Sequence, residues 1–223
     1  GPRMLEGGSV GYPVFADIGY FSGIAETDWS WAPLAADFNN DTYRDILITN
    51  GFPKDITDRD FGVYRNETYG LASKEQLLEQ IPEVKLHNYI YRNNGNNKFT
   101  DESYNWGLGD PTFSNGAAYA DFDNDGDLDF VVNNINDKAL LYENTLIPAD
   151  KESARYLQIK LEGGAPNRNG YGTWIKIFYN GHQQIYEHYN VRGYLSTITP
   201  VVHFGLDTIK VVDSIHIIWP DNS

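Results

Sequence analysis

Residues 121–129 read DFDNDGDLD, with a carboxylate at every second position: Asp121, Asp123, Asp125, Asp127 and Asp129. So dense a like-charge cluster repels itself unless a cation compensates it, and hard oxygen donors select calcium over softer metals. Asp121, Asp123, Asp125 and Asp129 offer side-chain oxygens, Asp127 offers its backbone carbonyl, and Gly126 supplies the sharp turn. The spacing follows an EF-hand as far as the ninth residue, but position twelve, where a bidentate Glu is needed, is Val132. The flanks disagree with an EF-hand as well. AAYA before the loop and FVV after it are short apolar or β-branched runs, which predict strands on both sides rather than amphipathic helices.

Working outward, a shift of 84 residues aligns Phe15–Asn50 with Phe99–Asn134 without a gap, and 12 of the 36 pairs are identical. Chance gives about two, so the chain holds two copies of one strand, acidic loop, strand unit. The alignment lands Asp37, Asn39, Asp41 and Asp45 on the four side-chain positions of the downstream loop and Tyr43 on the carbonyl position. This upstream loop is degraded. Asn39 stands where a carboxylate is expected and Thr42 where the turn Gly is expected, and a β-branched residue resists positive φ. Weaker calcium binding is expected there.

These motifs carry a resemblance. FxD, then a Gly, then an apolar run into DFDNDGDLDFVV is similar to the FG-GAP or VCBS repeat, which implies blades of a β-propeller and calcium as cofactor. The upstream copy is also similar to large secreted or lipid-anchored proteins of Bacteroidetes. Farther along, NRNGYG (Asn167–Gly172), RGYLS (Arg192–Ser196), HFGL (His203–Leu206) and Trp219-Pro220 resemble the ASPIC/UnbV domain, which implies a small β-sandwich-like domain continuing past Trp219-Pro220. The fold expected is therefore all-β: two FG-GAP propeller-like blades over 12–148, then an ASPIC/UnbV-like domain over 155–223. The polar run ADKES marks the linker. The 84-residue period is interrupted over about 62–86, where SKEQLLEQI (Ser73–Ile81) has an N-cap, good helix formers and a stop at Pro82, predicting one short helical insertion. NYIYRN (Asn88–Asn93) and ALLYEN (Ala139–Asn144) echo each other as closing strands of the two blades. In the second domain, YLQIKL, TWIKIFY, QQIYEHY, VVHFGL and VDSIHIIW predict strands, and Asn180-Gly181 predicts a two-residue hairpin.

Composition excludes several classes of function. A net charge of −14 disfavours nucleic acid and anionic lipid as partners. Absence of Cys removes thiol catalysis, zinc-thiolate sites and disulfides. His87, His182, His188, His203 and His216 form no HxxxH or HExxH pattern, and no G-x-S-x-G nucleophile is present. With every notable carboxylate at metal-ligand spacing, the chain is expected to be a non-enzymatic binding or adhesion module. Its expected ligand is a protein or a glycan, with no direct membrane insertion, and open sheet edges offer a route to self-association. A loop of this kind saturates at extracellular calcium levels, which favours the bacterial exterior, outer-membrane surface or periplasm. Gly1-Pro2 resembles the remnant of a protease site, which is compatible with the removal of any native targeting segment. Two readings compete: a carbohydrate-binding module of a surface glycan-uptake system, for which Trp29, Trp31, Tyr104 and Trp106 would be the stacking platforms, and a glycan-active enzyme fragment. Trp29 aligns with Phe113 in the repeat, which favours packing between blades over sugar stacking.

Overall fold

Strand β1 (Ser30–Ala36) buries alternate residues Ala32, Leu34 and Ala36, the period-two pattern of a half-covered sheet. In the computed structural model, which describes residues 15–146 and 154–221, it runs antiparallel to β2 (Asp45–Asn50) with Ala36 opposite Asp45. The chain then makes β3 (Tyr89–Asn93) and β4 (Phe99–Asp101), completing a sheet of order β1-β2-β3-β4. Eighty-four residues after β1 and β2 lie β5 (Ser114–Ala120) and β6 (Asp129–Asn134), with Ala120 opposite Asp129. Both hairpins even slip register at equivalent points, between Ser30 and Pro33 and between Ser114 and Ala117. Adding β7 (Leu140–Tyr142) gives the second sheet, β5-β6-β7.

The repeat extends to hydrogen bonds outside the strands. Asp17 Oδ1 accepts from Gly19 N as Asp101 Oδ1 accepts from Ser103 N, and Ile24 N and Leu108 N close the two turns on Gly19 O and Ser103 O. The upstream turn is the short helix α1 (Gly19–Ser22). One apolar core joins the sheets, with Leu34, Leu47, Ile90, Leu108 and Val132 all but fully enclosed. Each such side chain contributes about 1.5–3 kcal/mol by leaving water. Phe38, just after β1, sits edge-on to Tyr119 and Phe130, each at 6.0 Å, and so ties one unit to the other.

The insertion differs from the single helix expected. A helix α2 (Arg59–Glu67) precedes the expected one, now α3 (Lys74–Glu79), so helical structure begins before residue 62. Asp58 caps α2 by accepting from Phe61 N, and Ser73 with Gln76 forms a reciprocal capping box on α3. Only Phe61 of α2 and no residue of α3 is buried, so neither helix carries the apolar stripe that announces a helix in a sequence.

Five strands follow: β8 (Arg155–Lys160), β9 (Trp174–Tyr179), β10 (His182–Glu187), β11 (Val201–Asp207) and β12 (Ser214–Ile218). They form two sheets, β11-β8 and β10-β9-β12. Positive φ at both Asn180 and Gly181 turns β9 into β10, the twist that a two-residue hairpin demands. Ile175 and Ile177 from one sheet meet Val202 and Phe204 from the other in a core of their own. The expected boundary between Asn144 and Arg155 falls largely on 147–153, and 12–14 and 222–223 also lie outside the described residues. Among the described residues, no barrel closes and no helix is long and apolar enough to cross a membrane.

Candidate metal centre

Each acidic loop is the turn of a β-hairpin, from β1 into β2 and from β5 into β6, so the sheet fixes both ends of the carboxylate ladder. In the downstream loop Asp121, Asp123 and Asp129 bring one ligand oxygen each to within 4.8 Å of one another. This cluster can hold a metal ion. Backbone amides orient the carboxylates. Asp125 N donates to Asp121 Oδ1 at 3.1 Å and to Asp123 Oδ1 at 3.2 Å, and Asp127 N donates to Asp125 Oδ1 at 3.1 Å. Asp129, 2% exposed, accepts from Phe122 N and from Asn144 N, each at 2.8 Å. Left-handed φ at Asn124 and at Gly126 (φ 105°) wraps the backbone around the cluster.

The donors present fit a hard divalent cation. Every side chain of the ladder is a carboxylate, and Asp125 Oδ2 is buried with no hydrogen-bond partner, the kind of orphan that a cation satisfies. Burial, with repulsion from Asp123, Asp121 and Asp129, raises the Asp125 carboxyl above its ordinary value. Asp127 is fully enclosed, and the expected role of its backbone carbonyl needs no exposure of its side chain.

The upstream loop repeats this hydrogen-bond frame atom for atom. Asp37 Oδ1 and Asn39 Oδ1 accept from Asp41 N, Asp41 Oδ1 from Tyr43 N, and Asp45 from Phe38 N and Asn93 N. Even Thr42 takes the turn conformation, with φ 81°, and carries the strain that Gly126 avoids. The interior differs. Asn39 Nδ2 donates to Asp41 Oδ2 at 2.8 Å, and Thr42 N donates to Asp37 Oδ2 at 2.8 Å, so an amide occupies the oxygen whose counterpart, Asp125 Oδ2, has no partner in the other loop. Asp37, Asp41 and Asp45 do not form a convergent group of three among the described residues. Burial raises Asp37 well above the ordinary carboxylate range and Asp45 to about 7, with neighbouring carboxylates adding to both. Tyr43, on the carbonyl position, is half exposed.

Sequence reasoning missed four residues around the loops. Asn93 and Asn144 donate their backbone N–H groups to Asp45 and Asp129, and the echo of NYIYRN with ALLYEN contained that signal. Gln158 Nε2 donates to Asp121 Oδ2 at 2.8 Å, and Asn40 Nδ2 donates to Gly126 O at 3.2 Å; no spacing in the sequence announces either contact. Of the aromatic residues considered as sugar platforms, Trp29 stacks on Phe52 at 5.0 Å and Trp31 packs obliquely 4.6 Å from the Tyr194 ring, whereas Tyr104 is 72% exposed. His203 Nε2 donates to Asn40 Oδ1 at 2.7 Å, and His188 Nε2 donates to Asn169 O at 2.9 Å.

Residues 84–132 match the model of the FG-GAP-like repeat, and residues 163–223 match the model described as ASPIC and UnbV. The first match ends three residues past the downstream acidic loop and contains all of it; the second spans β9 to β12. The chain thus combines an FG-GAP-like repeat with an ASPIC/UnbV domain. No curated protein matches it.

Proposed function

We propose that this combination of FG-GAP-like repeats and an ASPIC/UnbV domain is a calcium-binding, non-enzymatic module of an extracellular or surface protein. The observation that carries the reading is the convergence of Asp121, Asp123 and Asp129 in a loop whose backbone amides already point the carboxylates inward. Asp121, Asp123, Asp125 and Asp129 hold the ion with side-chain oxygens and Asp127 with its carbonyl. Calcium supplies positive charge there and no redox or proton chemistry. The Asp37–Asp45 loop binds more weakly or is held by its own amides. The work of the molecule is binding a protein or glycan ligand outside the cell.

Titration calorimetry on chelator-treated protein tests the metal. One tight calcium site, lost in Asp125→Ala and not filled by magnesium at equal concentration, is expected; a flat titration overturns the reading. A glycan array with and without calcium then separates sugar from protein ligands, and turnover of glycosidase, esterase, phosphatase or protease substrates would remove the non-enzymatic assignment.

A further inference from the structure

Alternation along β8 and β11 sends Leu157, Ile159, Val202 and Phe204 into the second domain's core and leaves Tyr156, Gln158, His203 and Gly205 on the opposite face. Register places His203 opposite Gln158 and Gly205 opposite Tyr156, so the four form one compact patch. That patch lies on both acidic loops. A Cβ on Gly205 would lie 2.0 Å from Asp37 Oδ2 and 2.6 Å from Asn40 Cα, and a Cβ on Gly126 would lie 1.9 Å from the Tyr156 ring. Two glycines at facing positions therefore let the surfaces meet.

Asn40 is the joint. Fully enclosed, it donates Nδ2 to Gly126 O in the other loop, takes the His203 ring nitrogen on Oδ1, and accepts Asp207 N on its carbonyl at 2.7 Å. Since Nδ2 is a donor, Oδ1 is the acceptor and His203 Nε2 carries the proton. Gln158 meanwhile reaches from β8 onto Asp121 Oδ2. Gln158 thus fixes the first carboxylate of the metal loop only while the second domain is seated, and the Asn40 that holds the loop's turn from within the first domain is itself held by His203 and Asp207 of the second.

We propose that the second domain is part of the calcium site: Gln158 positions Asp121 directly, and His203 with Asp207 fixes the Asn40 that holds the Gly126 turn, so that calcium binding and domain seating strengthen each other. The proposal rests on the calcium reading above. Linkage makes it reciprocal: whatever the seated domain adds to calcium affinity, calcium adds to the seating.

The test uses the full chain. Calcium affinity is measured for wild type, Gln158→Ala and Gln183→Ala, the last removing an exposed glutamine on β10 as a control. Loss of one hydrogen bond to a charged carboxylate predicts about a 5–30-fold weaker affinity for Gln158→Ala, with the control unchanged. A purely structural role would instead lower the melting temperature in chelator, which this half-solvated side chain is expected to leave unmoved. Amide exchange by NMR reads the seating directly: the Asp207 N–H, bonded to Asn40 O, gains protection on calcium addition in wild type and does not in Asp125→Ala. Wild-type affinity in Gln158→Ala with calcium-independent exchange at Asp207 overturns the linkage and leaves the calcium site standing. Absence of calcium binding by the wild type overturns both.

Discussion

His203 shows how a single buried group ties pH to the joint between the domains. Its Nδ1 is buried without a partner, and burial depresses the imidazole from 6.5 to about 4. A proton therefore goes to the unfolded chain first. Between those values the unfolded state binds more protons, so the contribution is fully present above pH 6.5 and is lost as pH falls towards 4. Asp37 and Asp45 act in the opposite sense, because their raised carboxyls keep protons in the fold, and that stability is lost as pH rises above the ordinary carboxylate range, through about 7 for Asp45. His203→Gln isolates one of the two: it keeps a donor for Asn40 Oδ1 and removes the titration. Urea midpoints from pH 4 to 7 in chelator should show a weaker acid decline in the variant, by on the order of 1–3 kcal/mol at pH 4, and identical slopes would exclude His203. Gly126→Ala is a harsher change, since the new methyl meets both φ 105° and the Tyr156 ring. About 1–2 kcal/mol of stability should go, and Tyr156→Ala in the same chain should restore the share due to the clash. The convergence of Asp121, Asp123 and Asp129 was legible because ligand spacing is a local property of the chain. Asn40 and Gln158 were not, because their partners lie 86 and 37 residues away and arrive only through folding.

At the scale of elements, the two units differ most at their outer strands. Ile90 in β3 is 1% exposed, bonded through O to Glu102 N and through N to Ser103 Oγ, because β4 and its turn close over it. The equivalent residue in β7, paired with Val131 as Ile90 is with Leu47, is Leu141, and it is 67% exposed. No strand pairs with β7 beyond β6 among the described residues. An apolar, unpaired edge invites another chain. Light scattering across a concentration series should therefore show weak self-association that Leu141→Lys reduces, while the same change at exposed Val63 on α2 leaves it unaltered. Association insensitive to Leu141→Lys would move the contact elsewhere. Strands such as β1 and β9 were readable because alternation at period two survives in the sequence whenever one face is covered. Helix α2 escaped notice for the converse reason: with Phe61 alone buried, its stability comes from the Asp58 cap and its connections, and caps without periodicity are weak signals.

For the whole molecule, the consequence of seating one domain on the other's loops is that calcium should stabilise more than a local turn. The repeat units and the order of the domains were legible in the sequence, since duplicated loops and changes of composition are linear features. Their packing was not, because it depends on which faces of β8 and β11 remain uncovered once each core has formed. Calcium at about 100 times its dissociation constant adds roughly 2.7 kcal/mol if the unfolded chain binds none, and in a chain of this size that raises the melting temperature by about 5–10 °C. Because Asn40, through His203 and Asp207, and Gln158, through Asp121, bridge the domains, the transition should move as one in calcium and broaden or split in chelator. Asp125→Ala should remove most of the calcium-dependent shift, since it deletes the carboxylate whose Oδ2 lacks a partner. Asp41→Ala should remove a smaller part, since Asn39 already holds its Oδ2. Differential scanning calorimetry in calcium and in chelator decides the matter: equal curves for the unmodified protein would reduce Asp121–Asp129 to an acidic turn, and an equal effect of the two substitutions would mean that the amides of the upstream loop do not replace its ion.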